Sequence, residues 1–395
     1  MLNNKARYQG KTIVWVSPLI MDFHLHKTTQ LEILRAFAQN GNRVFLIASY
    51  SCEKVTSRPW GVRLVLVPLR FVSFFSTIIY TLVLLLFLPW LLLHLKPDYV
   101  LVEPLTAIHG ILSRFLLPRS KKVVLDVRSG PVGKAGFAMR LSFESAMHMA
   151  RRFNGITAIT PLLKKDICSK YGFDSEFVGV WSSGVSTSVF NPDRYDASRM
   201  RRKFGLESKF VVLYHGTLGG PRTPRGIIET IKAMGELRSG YPQITLFLLG
   251  NSTFPPGTIE HLIQKLNVQD TVIVHDSVGY EEVPKYIAMC DVGIVPLPNF
   301  SFWRHQCPLS LLEYLAMGKP VVVTDIPASR GILEDCDCGI YVPSTHPMKI
   351  AKGIAYAYDN KESLSRWGNK GRLIVKNRYE WDKVTGTLES FLSKL

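Results

Sequence analysis

Short runs of apolar residues alternate with amphipathic segments along the first half of this chain. Each run has the length of a buried strand, and segment 27–39 carries Leu31, Leu34 and Phe37 at helical spacing. The predicted strands are residues 12–17, 43–49, 62–68, 98–103, 123–128 and 155–160. Strands that alternate with helices predict a doubly wound α/β domain built on a parallel sheet, which the run 155–160 is expected to close.

The same alternation begins again after residues 182–205, which are rich in Ser, Gly, Pro and charged residues and predict a connector between domains. The second set of predicted strands is 210–214, 244–250, 272–275, 292–296 and 320–324, with helices at about 258–266, 281–288 and 309–317. The chain is therefore expected to form two Rossmann-like domains, over residues 1–185 and 206–380. A last helix within 381–395 is expected to pack back toward the first domain.

Residues 71–93 lie between the third and fourth predicted strands and contain no charged side chain. By length and apolar character this segment is a candidate membrane-spanning helix. However, a span would put strands of one parallel sheet on opposite sides of the bilayer, and their hydrogen bonds cannot cross lipid. The pattern favours instead a helix, or two helices broken near Pro89, that connects two strands and lies partly in one leaflet.

Composition and charge also indicate a membrane as a binding partner. The chain has 395 residues, 47% of them hydrophobic, and a formal net charge of +17, with the excess of basic residues concentrated in the amino-terminal half. Basic residues flank segment 71–93 and recur in the amphipathic segment 134–153, which favours contact with anionic lipid headgroups. No sequence feature indicates a nucleic-acid-binding motif. We therefore expect a monotopic or peripheral protein on the cytosolic face of a membrane, without a nucleic-acid partner.

Cysteine spacing and the amino terminus agree with that location. The six cysteines are scattered, and the close pair Cys336 and Cys338 lacks the spacing of a zinc site. Residues 1–12 lack the apolar core and cleavage site of a signal peptide. These features predict a reduced protein that is not exported and has no structural metal.

Candidate chemistry is concentrated in the second half. The predicted strand 210–214 runs into a loop with three glycines, and Arg222 and Arg225 precede the next helix. Glycines between a strand and a helix let backbone N–H groups approach a phosphate, which arginine can neutralise. Later, Glu313 lies inside an apolar helical pattern close to the carboxyl ends of the strands, where a carboxylate can accept two ribose hydroxyls. Together these features predict an anion and nucleotide site.

Three segments, in order, resemble retaining glycosyltransferases of family 4: SSGVSTSVFNP from Ser182, YHGTLGGPRTPRGI from Tyr214 and LLEYLAMGKPVVVTD from Leu311. The resemblance implies the GT-B fold, with two doubly wound Rossmann-like domains facing a central cleft. It also implies transfer of a sugar from a nucleotide diphosphate sugar with retention of configuration. No cofactor is expected, since the nucleotide sugar is a substrate and this family usually needs no metal.

The resemblance also implies roles for individual residues. On the donor side it places Gly216, Thr217, Gly219, Gly250, Leu309, Ser310 and Glu313. Arg222, Arg225, His305, Asp126 and Arg128 are the candidate catalytic residues, and Asp22 and His24 the candidate acceptor contacts. Several positions depart from the family pattern: His305 replaces the first Glu of its E-x7-E signature, Thr217 replaces an Arg, Arg225 replaces a Lys, Ser186 replaces the Asp of the connector, and Arg128 stands where many members have a His.

The expected function is therefore transfer of a sugar from a UDP- or GDP-sugar to a membrane-embedded, lipid-linked acceptor, such as a polyprenyl-linked glycan or a glycolipid. Two alternatives remain open from the sequence. A nucleotide-sugar epimerase would share the fold but would gain nothing from the apolar segment. The second alternative is a non-catalytic partner subunit, which would keep the fold but lack the chemistry. It is conceivable because His305 and Thr217 depart from the family pattern. The sequence does not identify the base, the sugar, the linkage or the oligomeric state.

Overall fold

A computed structural model describes residues 10–20, 27–50, 61–68, 74–130, 137–334 and 336–395. The chain divides into two compact units, each built on its own parallel sheet. The amino-terminal unit extends to Ser183 and also contains Trp381–Leu395, whereas the carboxy-terminal unit contains Gly184–Glu380. The chain thus returns to its first unit at the end.

The amino-terminal unit contains a seven-stranded parallel sheet in the order β3-β2-β1-β4-β5-β6-β7. Its strands are β1 (Thr12–Ile20), β2 (Arg43–Tyr50), β3 (Val62–Pro68), β4 (Tyr99–Val102), β5 (Lys122–Val127), β6 (Gly155–Ala158) and β7 (Val178–Val180). Its helices are α1 (Lys27–Gln39), α2 (Phe74–Leu95), α3 (Ala107–Leu116), α4 (Phe137–Ala150), α5 (Pro161–Tyr171) and the last helix, α15 (Trp381–Leu392). The central strands are apolar and buried because helices cover the sheet.

Helix α15 closes the core of this unit. Its apolar stripe of Trp381, Val384, Leu388 and Leu392 is buried in one cluster with residues of β1, β2 and α1. Asn40, just beyond α1, donates a 2.9 Å hydrogen bond to Glu389 of α15. The last helix is therefore an integral element of the amino-terminal unit.

Helix α2 is the connection between β3 and β4 of this sheet and continues through Pro89. It is long and apolar enough to cross a membrane, yet only 22% of its stretch Ile78–Leu95 is buried. The buried residues include Tyr80, Leu84, Leu88 and Leu92, which recur every fourth position and form a single stripe against the unit. Because β3 and β4 belong to one hydrogen-bonded sheet, α2 lies beside that sheet and cannot separate its strands across a bilayer.

The carboxy-terminal unit contains a six-stranded parallel sheet in the order β10-β9-β8-β11-β12-β13. Its strands are β8 (Phe210–His215), β9 (Ile244–Leu249), β10 (Val272–His275), β11 (Val292–Val295), β12 (Val321–Thr324) and β13 (Gly339–Val342). Its helices are α6 (Ala197–Phe204), α7 (Ile227–Leu237), α8 (Thr258–Lys265), α9 (Val283–Met289), α10 (Ser301–Arg304), α11 (Leu309–Ala316), α12 (Pro327–Leu333), α13 (Pro347–Asp359) and α14 (Leu364–Arg378). The strand order reverses between β8 and β11, which is where ligands bind in open sheets of this type.

The expected fold class is confirmed, with two short edge strands added. Strand β7 extends the first sheet beyond the run 155–160 that was expected to close it, and β13 extends the second. Strand β7 was missed because it has only three residues with a glycine at its centre, and β13 was missed because it begins with a glycine and is only partly buried. Edge strands have one neighbour, so they need less apolar sequence than central strands.

Candidate functional site

Two glycines bring neighbouring strand ends together at the carboxyl edge of the second sheet. Gly216 follows β8 with φ +116°, and Gly250 follows β9 with φ +151°. A Cβ on Gly250 would lie 1.8 Å from the Gly216 carbonyl oxygen, so no larger residue fits there. The Gly216 N–H donates a 3.0 Å hydrogen bond to Leu249. Gly250 therefore has a steric reason to be glycine, and Gly216 has a conformational one, since its φ lies in the region that favours glycine.

The rest of the glycine loop is held by the segment after β9. Leu218 N–H donates to the Asn251 carbonyl at 2.9 Å, and Thr253 N–H donates to the Gly219 carbonyl at 2.9 Å. The Tyr214 hydroxyl donates to the Thr217 carbonyl at 2.7 Å. Gly219 has φ +81°, a conformation that favours glycine. The loop is therefore a preorganised backbone structure before any ligand arrives.

Arg225 lies where this loop enters α7, and its guanidinium stacks on an aromatic ring. Its Cζ is 4.6 Å from the centroid of Trp303, whose indole N–H donates a 3.0 Å hydrogen bond to the Pro224 carbonyl. The Arg225 Nε is buried and has no hydrogen-bond partner among the described residues, whereas the guanidinium also reaches the Tyr214 hydroxyl. No ion pair between Arg225 and a carboxylate is present among the described residues. A half-buried cation with an unused donor is suited to bind an anion. Arg222 is exposed in the same loop.

Glu313 is 7% exposed on α11, at the same edge of the sheet. Its Oε2 lies 3.3 Å from Nε2 of His215, the last residue of β8. Burial raises the pKa of Glu313 to about 8. Burial also lowers the pKa of His215 to about 3, although the Ser310 carbonyl beside the ring acts in the opposite direction. Both groups are therefore neutral near pH 7, and the pair is a carboxylic acid beside a neutral imidazole.

The position of α11 is fixed by the next residue, Tyr314. Its hydroxyl donates a 2.7 Å hydrogen bond to the Leu213 carbonyl in β8, and its ring lies where a Cβ on Gly293 would stand. The Tyr314 ring also meets the His215 ring edge to face, with centroids 4.9 Å apart. Helix and sheet therefore hold Glu313 and His215 in a defined arrangement.

Ionisation of Glu313 makes the stability of the protein depend on pH. Its pKa is raised from 4.5 to about 8 by burial, so its contribution to folding is fully present below pH 4.5 and is lost as pH rises toward 8. We expect the free energy of unfolding of Glu313→Gln to fall less between pH 5 and pH 8 than that of the wild type, by on the order of a few kcal/mol. Urea denaturation at the two pH values measures this difference. Equal falls in both proteins would contradict the neutral form of Glu313.

The remaining donor-side candidates lie on the segment before and at the start of α11. His305 directly follows α10 and is partly exposed, and Leu309 and Ser310 open α11, also partly exposed. The structure thus brings Ser310 beside His215 and places Trp303, two residues before His305, against Arg225. His215 and Trp303 were not predicted, because their roles depend on contacts with residues distant in sequence.

In the amino-terminal unit, Asp126 and Arg128 gather around Trp181. Asp126 is fully buried, and its Oδ1 accepts hydrogen bonds from Thr157 at 2.6 Å and from the Trp181 indole at 2.8 Å. Arg128 lies 3.7 Å from the Trp181 ring centroid and donates to its carbonyl at 2.9 Å. These contacts give both residues a structural function in holding Trp181, and their contact with an acceptor stays a prediction. Asp22 and His24 lie outside the described residues.

The chain has two doubly wound parallel sheets. At its switch point the second sheet has a glycine loop, a half-buried arginine and a buried carboxyl group. This is the arrangement of the GT-B fold. The fold of the Anabaena protein HepE, solved in complex with UDP-glucose, is the same: TM-score 0.73, 14% sequence identity, coverage of 98% of this chain and 100% of that one.

Sequence comparison gives the same class. Residues 196–374 match the family described as glycosyl transferases group 1. A D-inositol 3-phosphate glycosyltransferase of Paenarthrobacter aurescens is 28% identical over 60% of this chain and 56% of its own length. A GDP-mannose-dependent alpha-(1-6)-phosphatidylinositol monomannoside mannosyltransferase of Mycolicibacterium smegmatis is 26% identical over 53% and 54%. The chain thus aligns with little more than half the length of these relatives. The predicted resemblance is confirmed for group 1 glycosyltransferases, while family 4 stays a prediction.

Proposed function

We propose that this protein transfers a sugar from a nucleotide diphosphate sugar to a lipid-linked acceptor at a membrane surface, with retention of configuration. The observation that carries the proposal is the carboxyl edge of the second sheet, where Arg225 has no anionic partner among the described residues and Glu313 is buried beside His215. The family match over residues 196–374 covers this edge. The nucleotide is UDP or GDP, since HepE was solved with UDP-glucose and the mycobacterial relative is named as GDP-mannose-dependent.

The donor-side residues have separate tasks in this proposal. Arg225, Arg222 and the backbone of residues 216–220 hold the diphosphate and stabilise the negative charge that develops on it as the glycosidic bond breaks. Glu313 accepts the ribose hydroxyls, which favours its ionised form, so donor binding releases a proton from a group whose pKa is about 8. Ser310, Leu309 and His305 border the phosphate and sugar. The departing phosphate takes the proton of the acceptor hydroxyl, so no protein nucleophile is required.

Helix α2 is the element we assign to the membrane, on its cytosolic face. Leu86, Phe87 and Trp90 are 80%, 60% and 63% exposed, on the side away from the buried stripe. The neighbouring helices α3 and α4 add further exposed apolar side chains, Ile108, Phe115, Met139 and Leu141. Basic residues near these elements, including Lys96, Arg119 and Arg140, are exposed and suit anionic headgroups. Apolar exposure of this extent favours a lipid-facing surface that would bring a lipid-linked acceptor to the enzyme.

Substituting serine for Leu86, Phe87 and Trp90 together is expected to lower partition into vesicles by on the order of 1000-fold, because each large side chain contributes roughly 1.5–3 kcal/mol when it leaves water. The measurement is co-sedimentation with phosphatidylcholine vesicles that do or do not contain phosphatidylserine. A matched triple variant of exposed residues on the carboxy-terminal unit, Met348, Tyr356 and Leu373, should partition like the wild type. If the α2 variant partitions like the wild type, the assignment of α2 to the membrane is contradicted. If the wild type self-associates and the α2 variant does not, the surface is assigned to contact with a second copy of the chain.

The transfer reaction is tested by incubating membranes that contain the protein with labelled UDP- and GDP-sugars and lipid-phosphate acceptors. A glycosyltransferase yields labelled lipid and free nucleotide diphosphate, and the anomeric configuration of the product decides retention. A non-catalytic subunit binds no nucleotide sugar and releases no nucleotide with or without lipid. An epimerase converts the donor sugar without needing lipid.

A further inference from the structure

His215 ends β8 at the carboxyl edge of the second sheet, in contact with Glu313 of α11. Its Nε2 lies 3.3 Å from the Glu313 Oε2, and both side chains are buried. None of the donor-side tasks proposed for this edge belongs to the histidine. A titratable ring in direct contact with the carboxyl group assigned to the ribose can nevertheless change the charge of that group.

The two ring nitrogens of His215 have different surroundings. The Ser310 carbonyl of α11 forms a hydrogen bond with the ring. Nε2 is buried and has no hydrogen-bond partner among the described residues, so Nδ1 is the nitrogen that donates to Ser310. In a neutral imidazole that donates through Nδ1, Nε2 carries a lone pair and can accept a proton. The proton acceptor of the ring therefore faces the carboxyl group of Glu313.

His215 is also the only ion-pair contact of Glu313 in the part of the chain that the structure describes. Arg225 reaches the Tyr214 hydroxyl and forms no ion pair with Glu313 there. The other titratable groups that act on this region are weak acids whose pKa is raised by burial, so they are neutral near pH 7: Tyr214 of β8, Cys290 beside β11 and Tyr314 of α11. An ionised Glu313 would therefore be a buried charge without a counterion unless His215 accepts a proton.

Ligand binding changes the balance between the neutral and the charged form of this pair. In the free protein burial favours the neutral form, because each charge would lose its hydration. Ribose hydroxyls that donate to Glu313 favour its carboxylate instead, and its proton must then leave. A carboxylate and an imidazolium at this distance attract each other by roughly a thousandfold or more in an equilibrium constant, at an effective dielectric constant of about 20. The nearby ring is thus a far better counterion when it is protonated than when it is neutral.

We propose that His215 is a positioning residue that takes the proton of Glu313 when the nucleotide sugar binds. The O–H bond of Glu313 breaks and an N–H bond forms at Nε2 of His215. The neutral acid and imidazole thereby become a carboxylate and an imidazolium, and no proton passes to the solvent. The hydrogen bond to Ser310 is kept and holds the charged ring in place. This inference rests on the proposed function, which assigns Glu313 to the ribose of the donor.

Calorimetric titration in buffers of different ionisation enthalpy counts the protons released on binding. The probes are UDP-glucose and GDP-mannose, which lack the terminal phosphate proton that titrates at about pH 6 in UDP and GDP. We expect the wild type to release almost no proton and to bind with the same affinity between about pH 5.5 and pH 7. His215→Gln should release about one proton at about pH 6 and bind about tenfold more weakly for each unit of falling pH, because Glu313, with a pKa of about 8, must then lose its proton to the solvent.

His261→Gln is the matched control, an exposed histidine on α8 of the same unit, and should behave like the wild type. A second measurement needs no substitution of His215. The imidazole ¹⁵N signals of the wild type should show one neutral ring becoming an imidazolium on saturation with the nucleotide sugar, and Glu313→Gln should not show this change. If His215→Gln does not fold, as judged by its thermal transition, the ¹⁵N signals decide the matter.

The inference and the proposed function fail in different ways. If the wild type releases about one proton on binding at about pH 6, the proton passes to solvent and the inference is overturned, while the proposed function stands. The same holds if the affinity of His215→Gln is as independent of pH as that of the wild type, or if every ring stays neutral in the ¹⁵N spectrum of the complex. A wild type that binds neither nucleotide sugar contradicts the proposed function, and the inference falls with it.

Discussion

Replacing Glu313 with alanine is expected to lower sugar transfer by at least about 100-fold. Two hydrogen bonds from ribose hydroxyls to one carboxylate are worth about 1.5–3 kcal/mol each, and alanine removes both. With Glu313 assigned, as proposed, to the ribose, which does not react, the loss should appear in donor affinity and in kcat/KM. The measurement is steady-state transfer with varied donor concentration.

The matched control is Glu236→Ala, an exposed carboxylate on α7 of the same unit, which should transfer at the wild-type rate. Glu313→Gln separates charge from shape, because it keeps the volume of the side chain and one acceptor oxygen. Glu313→Gln should therefore lose less transfer activity than Glu313→Ala. Transfer by Glu313→Ala at a rate close to that of the control would remove Glu313 from the donor site.

Arg225→Ala is expected to lower kcat by about 100- to 1000-fold, the cost of removing one group that stabilises developing charge. Its guanidinium is already held against Trp303, so little reorganisation is needed when the diphosphate binds. Arg225→Lys keeps the charge but loses the planar stacking and the second donor, so it should recover only part of the rate. Rates at saturating donor concentration measure the effect.

Arg238→Ala provides the control, because Arg238 is exposed at the opposite end of the same helix. We expect it to leave kcat unchanged. Wild-type kcat in Arg225→Ala would show that another group carries the developing charge, with Arg222 as the next candidate in the same loop.

Most of the fold could be predicted because short apolar runs that alternate with amphipathic segments are typical of central strands in a parallel sheet covered by helices. The bounds predicted for the helix after β1 and for the third strand agree with the structure, Lys27–Gln39 and Val62–Pro68. The short strands β7 and β13 could not be predicted, since their place in the sheet comes from neighbours and not from their own composition.

The candidate site could be predicted where it is local in sequence. A glycine-rich loop followed by arginines is a recognisable sequence pattern, and it predicted Arg225. A carboxylate inside an apolar helix is another, and it predicted Glu313. His215 could not be recognised as a neighbour of Glu313, nor Trp303 as a support for Arg225, because 98 and 78 residues separate these pairs in the chain.

The central claim is that Glu313 binds the ribose of a nucleotide diphosphate. Calorimetric titration of UDP and GDP and of their 2′,3′-dideoxy forms into wild type and Glu313→Gln tests it most directly. We expect the wild type to bind one ribonucleotide at least about tenfold more tightly than its dideoxy form, and we expect Glu313→Gln to lose most of this preference. The same preference in both proteins, or no binding of either nucleotide by the wild type, would contradict it.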